Sequence, residues 1–135
     1  MLENYCKTVT IEAHTMIDMA KTQIAPAVRR FAADTAKDVS AKLALDASLP
    51  CGYEKKLVAR LSALAESIAE KVEALEGAMI SLHDADDVIA ESAQIRDVVL
   101  PKMCELRVAC DEAETITAKS YWPFPTYGDI LFSVR

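Results

Sequence analysis

Between Leu57 and Leu82 the apolar residues Leu57, Leu61, Leu64, Ile68, Val72, Leu75, Met79 and Leu82 follow one another at alternating steps of four and three, with a single slip. That spacing averages close to 3.5, the repeat of a helix that packs along a narrow seam against other helices. Glu66, Glu70 and Lys71 fall outside the seam, as a solvated helix face requires. The rest of the chain agrees with this stretch. Twenty-two of its 135 residues are alanine and only three are glycine, so the turn signals that an all-β sandwich or barrel needs every ten residues or so are missing.

A second periodic stretch precedes it. Leu2, Tyr5, Cys6, Val9, Ala13, Met16, Ala20, Ile24, Ala27, Val28, Phe31, Thr35 and Val39 recur at steps of three and four, which predicts one very long helix ending near Leu45. Pro26 interrupts it. A proline inside a helix offers no amide hydrogen and its ring crowds the preceding turn, so a kink is expected near Ile24 to Pro26. The segment Asp46 to Gly52 gathers Asp, Ser, Pro and Gly and reads as a connection. A third helix is announced by the aspartates Asp84, Asp86 and Asp87, which are good N-caps, and by Ile95, Val99, Met103, Leu106, Cys110 and Ala113. It should run to about Lys119, with a second kink or break at Pro101. The expected fold is all-α: an antiparallel bundle of three long helices over residues 1–120, followed by an extended aromatic tail, residues 121–135, belonging to the same domain. At 1.5 Å per residue the first helix spans ~65 Å, so its excess length calls for a further partner.

Charge and cysteine content narrow the function. Fifteen basic and 21 acidic residues leave a net charge of −6, which gives no electrostatic footprint for nucleic acid or an anionic membrane. No apolar run approaches the ~18 residues that span a bilayer, and the N-terminus lacks a signal-peptide pattern, so a soluble, cytoplasmic protein is expected. Cys6, Cys51, Cys104 and Cys110 contain no C-x-x-C and read as four reduced, buried thiols.

Few residues suggest chemistry. His14 sits four before Asp18 on one helix face, with Glu12 close by, but a metal needs at least three ligands, so a surface His–Asp contact is the plainer expectation. His83 precedes Asp84, Asp86 and Asp87 without the glycine and closing glutamate of a calcium loop. A histidine phosphotransfer domain is also a helical bundle, but neither histidine has the small and basic neighbours such a site uses. No G-x-S-x-G or glycine-rich phosphate loop occurs.

The most informative segment is the last ninth of the chain, which carries five of its eight aromatics and its only tryptophan. Pro123 and Pro125 forbid helix and favour extended backbone at Trp122 and Phe124. Such a strip is suited to lie in a groove, on this bundle or on another domain or subunit, with Tyr121, Trp122, Pro123, Phe124, Pro125, Tyr127 and Phe132 as the docking residues. The run Tyr121 to Phe132, YWPFPTYGDILF, resembles the C-terminal signature of type III glutamine synthetases. LENYCKTVTIEAHTMIDMAKTQIAPAV, from Leu2, resembles the long helix after that family's catalytic core, and RDVVLPKMCELRVACDEAE the segment before the tail. The resemblance implies one domain of a longer cytoplasmic enzyme that joins ammonia to glutamate at the expense of ATP, with Mg²⁺ or Mn²⁺, in a homo-oligomer of stacked hexameric rings. None of that family's catalytic or metal-binding residues has a counterpart here. What it implies for this chain is a non-catalytic role in architecture, assembly or interdomain packing, with the parent catalytic domain and neighbouring subunits as partners and no cofactor of its own. A stand-alone helical interaction module is the alternative.

Overall fold

The computed structural model describes residues 1–125. Among these residues there is no strand, and three helical rods pack side by side. The first comprises α1 (Leu2–Met19), a π-helical turn at Ala20–Ile24, and α2 (Ala25–Leu45); the second is α3 (Gly52–Leu82). The third comprises α4 (Val88–Gln94), a π-helical turn at Ile95–Val99, and α5 (Leu100–Ile116). The rods run up, down and up. Cross-links between them mark the levels: Lys21 pairs with Glu76 at 3.2 Å, Lys42 with Glu54, and Arg60 with Glu112 at 3.5 Å.

The core is the seam read from the sequence. Leu61, Leu64, Ile68, Val72, Leu75, Met79 and Leu82 of α3 are all buried, facing Cys6, Val9, Ala13 and Ile17 of α1 and Val28 and Ala32 of α2. Met103, Leu106, Ala109 and Ala113 of α5 close the third side. The first rod is covered from Cys6 to Thr35, because α4 takes over where α3 ends and packs against α1. Its two ends remain outside the buried zone.

Both interior prolines produce the same local structure. The Ala25 N–H donates to the Ala20 carbonyl and the Leu100 N–H to the Ile95 carbonyl, each reaching five residues back instead of four. In each rod the proline, Pro26 or Pro101, follows two residues after the wide turn. The ring of a helical proline collides with the carbonyl four residues behind, and a π turn relieves that contact while keeping the rod continuous. The disturbance expected at the prolines therefore takes the form of one inserted residue in the turn just before each.

The connections are short. Asp46 Oδ1 accepts hydrogen bonds from the Ser48 amide and hydroxyl, at 2.9 and 2.7 Å, and closes the first loop. Lys42 straps it by donating to the Pro50 carbonyl and to Glu54. In the second loop a single aspartate does the capping: Asp87 Oδ1 accepts the Ala90 amide at 2.8 Å. The third rod ends at Ile116, three residues short of the expected Lys119, because Thr117 turns extended and its side chain goes into the interior.

Candidate interdomain surface and aromatic strap

The chain leaves α5 through two tight turns, with the Tyr121 amide donating to Ala118 and the Trp122 amide to Lys119. These turns carry it across to α2. The Tyr121 hydroxyl donates to Asp34 Oδ2 at 2.7 Å, its ring lies 4.9 Å from that of Phe31, and the Arg30 guanidinium sits 5.8 Å from the ring centre. The bond to the carboxylate, helped by desolvation, holds the Tyr121 phenol above its ordinary pKa. Trp122 and Phe124 meet edge to face, 6.4 Å apart, and both pack half-buried against the core, while Pro123 and Pro125 are exposed. Trp122 Nε1 is buried without a hydrogen-bond partner among the described residues. Tyr127 and Phe132, the other two aromatics assigned to docking, lie outside the described residues.

The receptor of this strap was not legible as a site. Arg30, Phe31 and Asp34 share one face of α2 at helical spacing, and the signal was Phe31, the one aromatic between Tyr5 and Tyr53.

The surface contact expected between His14 and Asp18 is not formed. His14 and Asp18 are exposed and make no ion pair with each other; Asp18 instead accepts the Thr22 hydroxyl through its carbonyl at 2.6 Å. His14 lines a small cleft of about 180 Å³ together with Glu76 and His83, at the end of α3. No group of three His, Cys, Asp or Glu side chains among the described residues is placed to hold a metal ion. The thiols also need correction: Cys6, Cys51 and Cys110 are buried, but Cys104 is exposed. Burial pushes the Cys110 thiol up to about 11, and burial beside Glu91 raises that of Cys6.

A wider groove of about 690 Å³ lies between α1 and α5, which face each other without close backbone packing. Ile11, Met16 and Met19 line one wall, Leu100, Met103 and Cys104 the other.

Comparison with known proteins places this architecture. The sequence profile of the glutamine synthetase C-terminal domain matches residues 1–42. A glutamine synthetase from Butyrivibrio fibrisolvens is 31% identical over the whole chain, and a type-3 glutamine synthetase from Dictyostelium discoideum is 26% identical over 98% of it. The chain is homologous to the C-terminal domain of type-3 glutamine synthetases. It spans 19% and 18% of the length of those two relatives. In this chain the two histidines share a cleft with one glutamate, Glu76, that is already paired to Lys21. No helix among the described residues is long and apolar enough to cross a membrane.

Proposed function

We propose that this chain is a non-catalytic helical domain of a type-3 glutamine synthetase and serves assembly and interdomain packing. The observation that carries this is coverage: similarity to two glutamine synthetases, one of them named type-3, runs through essentially every residue of the chain, yet occupies under a fifth of each of them. On this reading the ligation of ammonia to glutamate, with its ATP and Mg²⁺ or Mn²⁺, belongs to the remaining four-fifths of a cytoplasmic polypeptide. The all-helical scaffold supports the division of labour. A long rod with exposed Leu2, Tyr5 and Ile11 offers surface for other parts of the enzyme. The strap formed by Tyr121, Trp122 and Phe124 ties the end of the domain to α2, with the two exposed prolines available to a neighbour.

The test compares three proteins: the longer polypeptide, the same polypeptide lacking this domain, and the domain alone. The domain alone is expected to show no γ-glutamyl transfer above a heat-killed control, and its removal to break the oligomer measured by light scattering. Activity in the isolated domain sinks the proposal, as does a truncated enzyme that keeps both its mass and its rate.

A further inference from the structure

The groove between α1 and α5 lies on the open side of the three-rod bundle. The first and third rods run parallel, joined at one end where α4 packs on α1 and at the other where Tyr121 crosses to Asp34. Between these closures they separate, and α3 fills the space on one side only. An up-down-up bundle of three becomes a closed up-down-up-down bundle when a fourth helix lies antiparallel to the outer two. The opposite face therefore has the form that a fourth helix fits.

The walls suit an apolar helix face. Met16, Met19 and Met103 are three of the chain's five methionines, unbranched side chains that adapt to an inserted partner. Ile11 at the mouth is 65% exposed. Glu12 and Asp111 stand at the rim against the single cation Arg107, which favours a partner with basic flanks. Ile11 to Ile24 spans ~20 Å, enough for a helix of three to four turns carrying anchors at i, i+3 or i+4, and i+7.

Area decides who supplies that helix. A strip ~20 Å long and ~10 Å wide buries about 200 Å², far below the ~800 Å² per partner typical of a stable complex between separate molecules. It suffices when the helix is part of the same polypeptide, where the effective concentration reaches the millimolar range. The relatives, about five times as long as this chain, have ample sequence for it. We infer that the α1–α5 groove receives an amphipathic helix from the remainder of the same synthetase polypeptide. This rests on the function proposed above.

Cys104, exposed on the groove wall, is a built-in reporter. Its alkylation by N-ethylmaleimide is compared in the isolated domain and in the longer polypeptide. The expected result is at least a tenfold slower reaction in the longer polypeptide, unchanged on dilution to the monomer. Ile11→Glu, on an exposed position, should restore the fast rate there while leaving the melting temperature of the isolated domain where it was. Equal rates in both proteins overturn the inference; if removal of the domain still breaks the oligomer, the proposed function survives that failure. Protection that disappears on dilution assigns the groove to another subunit and also overturns it, as does protection in the isolated domain that grows with its concentration.

Discussion

Ile68 and Ile80 lie on the same helix and differ almost only in where they point, which makes them a controlled pair. Ile68 is 0% exposed and Ile80 is 70% exposed. Changing Ile68 to alanine removes three carbons from the centre of the seam, at about 0.8 kcal/mol for each buried methylene, or roughly 2.5 kcal/mol of transfer free energy. The surrounding side chains belong to three rods and relax only partly, so a cavity term of about 1 kcal/mol is added. Alanine returns a few tenths of a kcal/mol through its better helix propensity, leaving a net loss of about 3 kcal/mol. Ile80→Ala has the propensity gain with almost no burial to lose, so its expected effect is a change within about 0.5 kcal/mol, of stabilising sign. Urea unfolding followed by circular dichroism reads both. With a slope near 2 kcal/mol per molar, Ile68→Ala lowers the midpoint by about 1.5 M at unchanged slope, while Ile80→Ala hardly moves it. A loss at Ile68 below about 1 kcal/mol, or an equal loss at Ile80, refutes the helix phase on which the whole core rests.

Three further outcomes follow from the geometry. When absorbance at 295 nm is followed with pH, Tyr121→Phe should remove a component that ionises above the ordinary tyrosine pKa of about 10; since the folded-state pKa is the raised one, the bond to Asp34 stabilises fully below that ordinary value and is lost as pH climbs through the shifted one. Native titration with Ellman's reagent at pH 8 should show one fast thiol, Cys104, with the buried Cys6, Cys51 and Cys110 appearing on unfolding; two fast thiols would contradict the burial of one of those three. Deleting Thr22 removes the inserted residue, so the turn closes as ordinary α-helix with α1 and α2 still in phase but with the Pro26 ring against the carbonyl four residues behind; the deletion should cost about 3 kcal/mol, and adding Pro26→Ala should recover most of it, whereas equal melting with and without Pro26 in the deletion background would show that the wide turn does not serve the proline.

How far the fold was legible depended on the length of the pattern. The α3 seam repeats for about seven turns and every position from Leu61 to Leu82 named from the sequence is buried, because a sustained 3.5 repeat has few other uses. The prolines were visible as defects, but their form was not stated. Ala20, Ile24 and Val28 in one rod and Ile95, Val99 and Met103 in the other run at consecutive steps of four, but so do Leu64, Ile68 and Val72 in the unbroken α3, so the spacing does not mark a π turn. The strap's landing place was less accessible. It depends on Asp34 meeting Tyr121 across 87 positions, and no periodicity encodes such a meeting. Cys104 illustrates the same limit. Its chemical type argues for burial, yet its phase on α5, one residue past Met103, turns it outward.

The π turn at Ala20–Ile24 has a mechanical meaning as well as a steric one. Eighteen residues of α1 extend beyond it, a lever of about 27 Å that ends at Leu2. The missing amide of Pro26 and the five-residue hydrogen bond make this the most compliant section of the first rod, since bends in long helices concentrate at such sites. A flex on the order of ten degrees there sweeps Leu2 through about 5 Å while α2, held by α3 and by the strap at Asp34, stays in place. Because α1 carries one wall of the α1–α5 groove and α4 packs on it, the angle held at this turn sets the width of that groove.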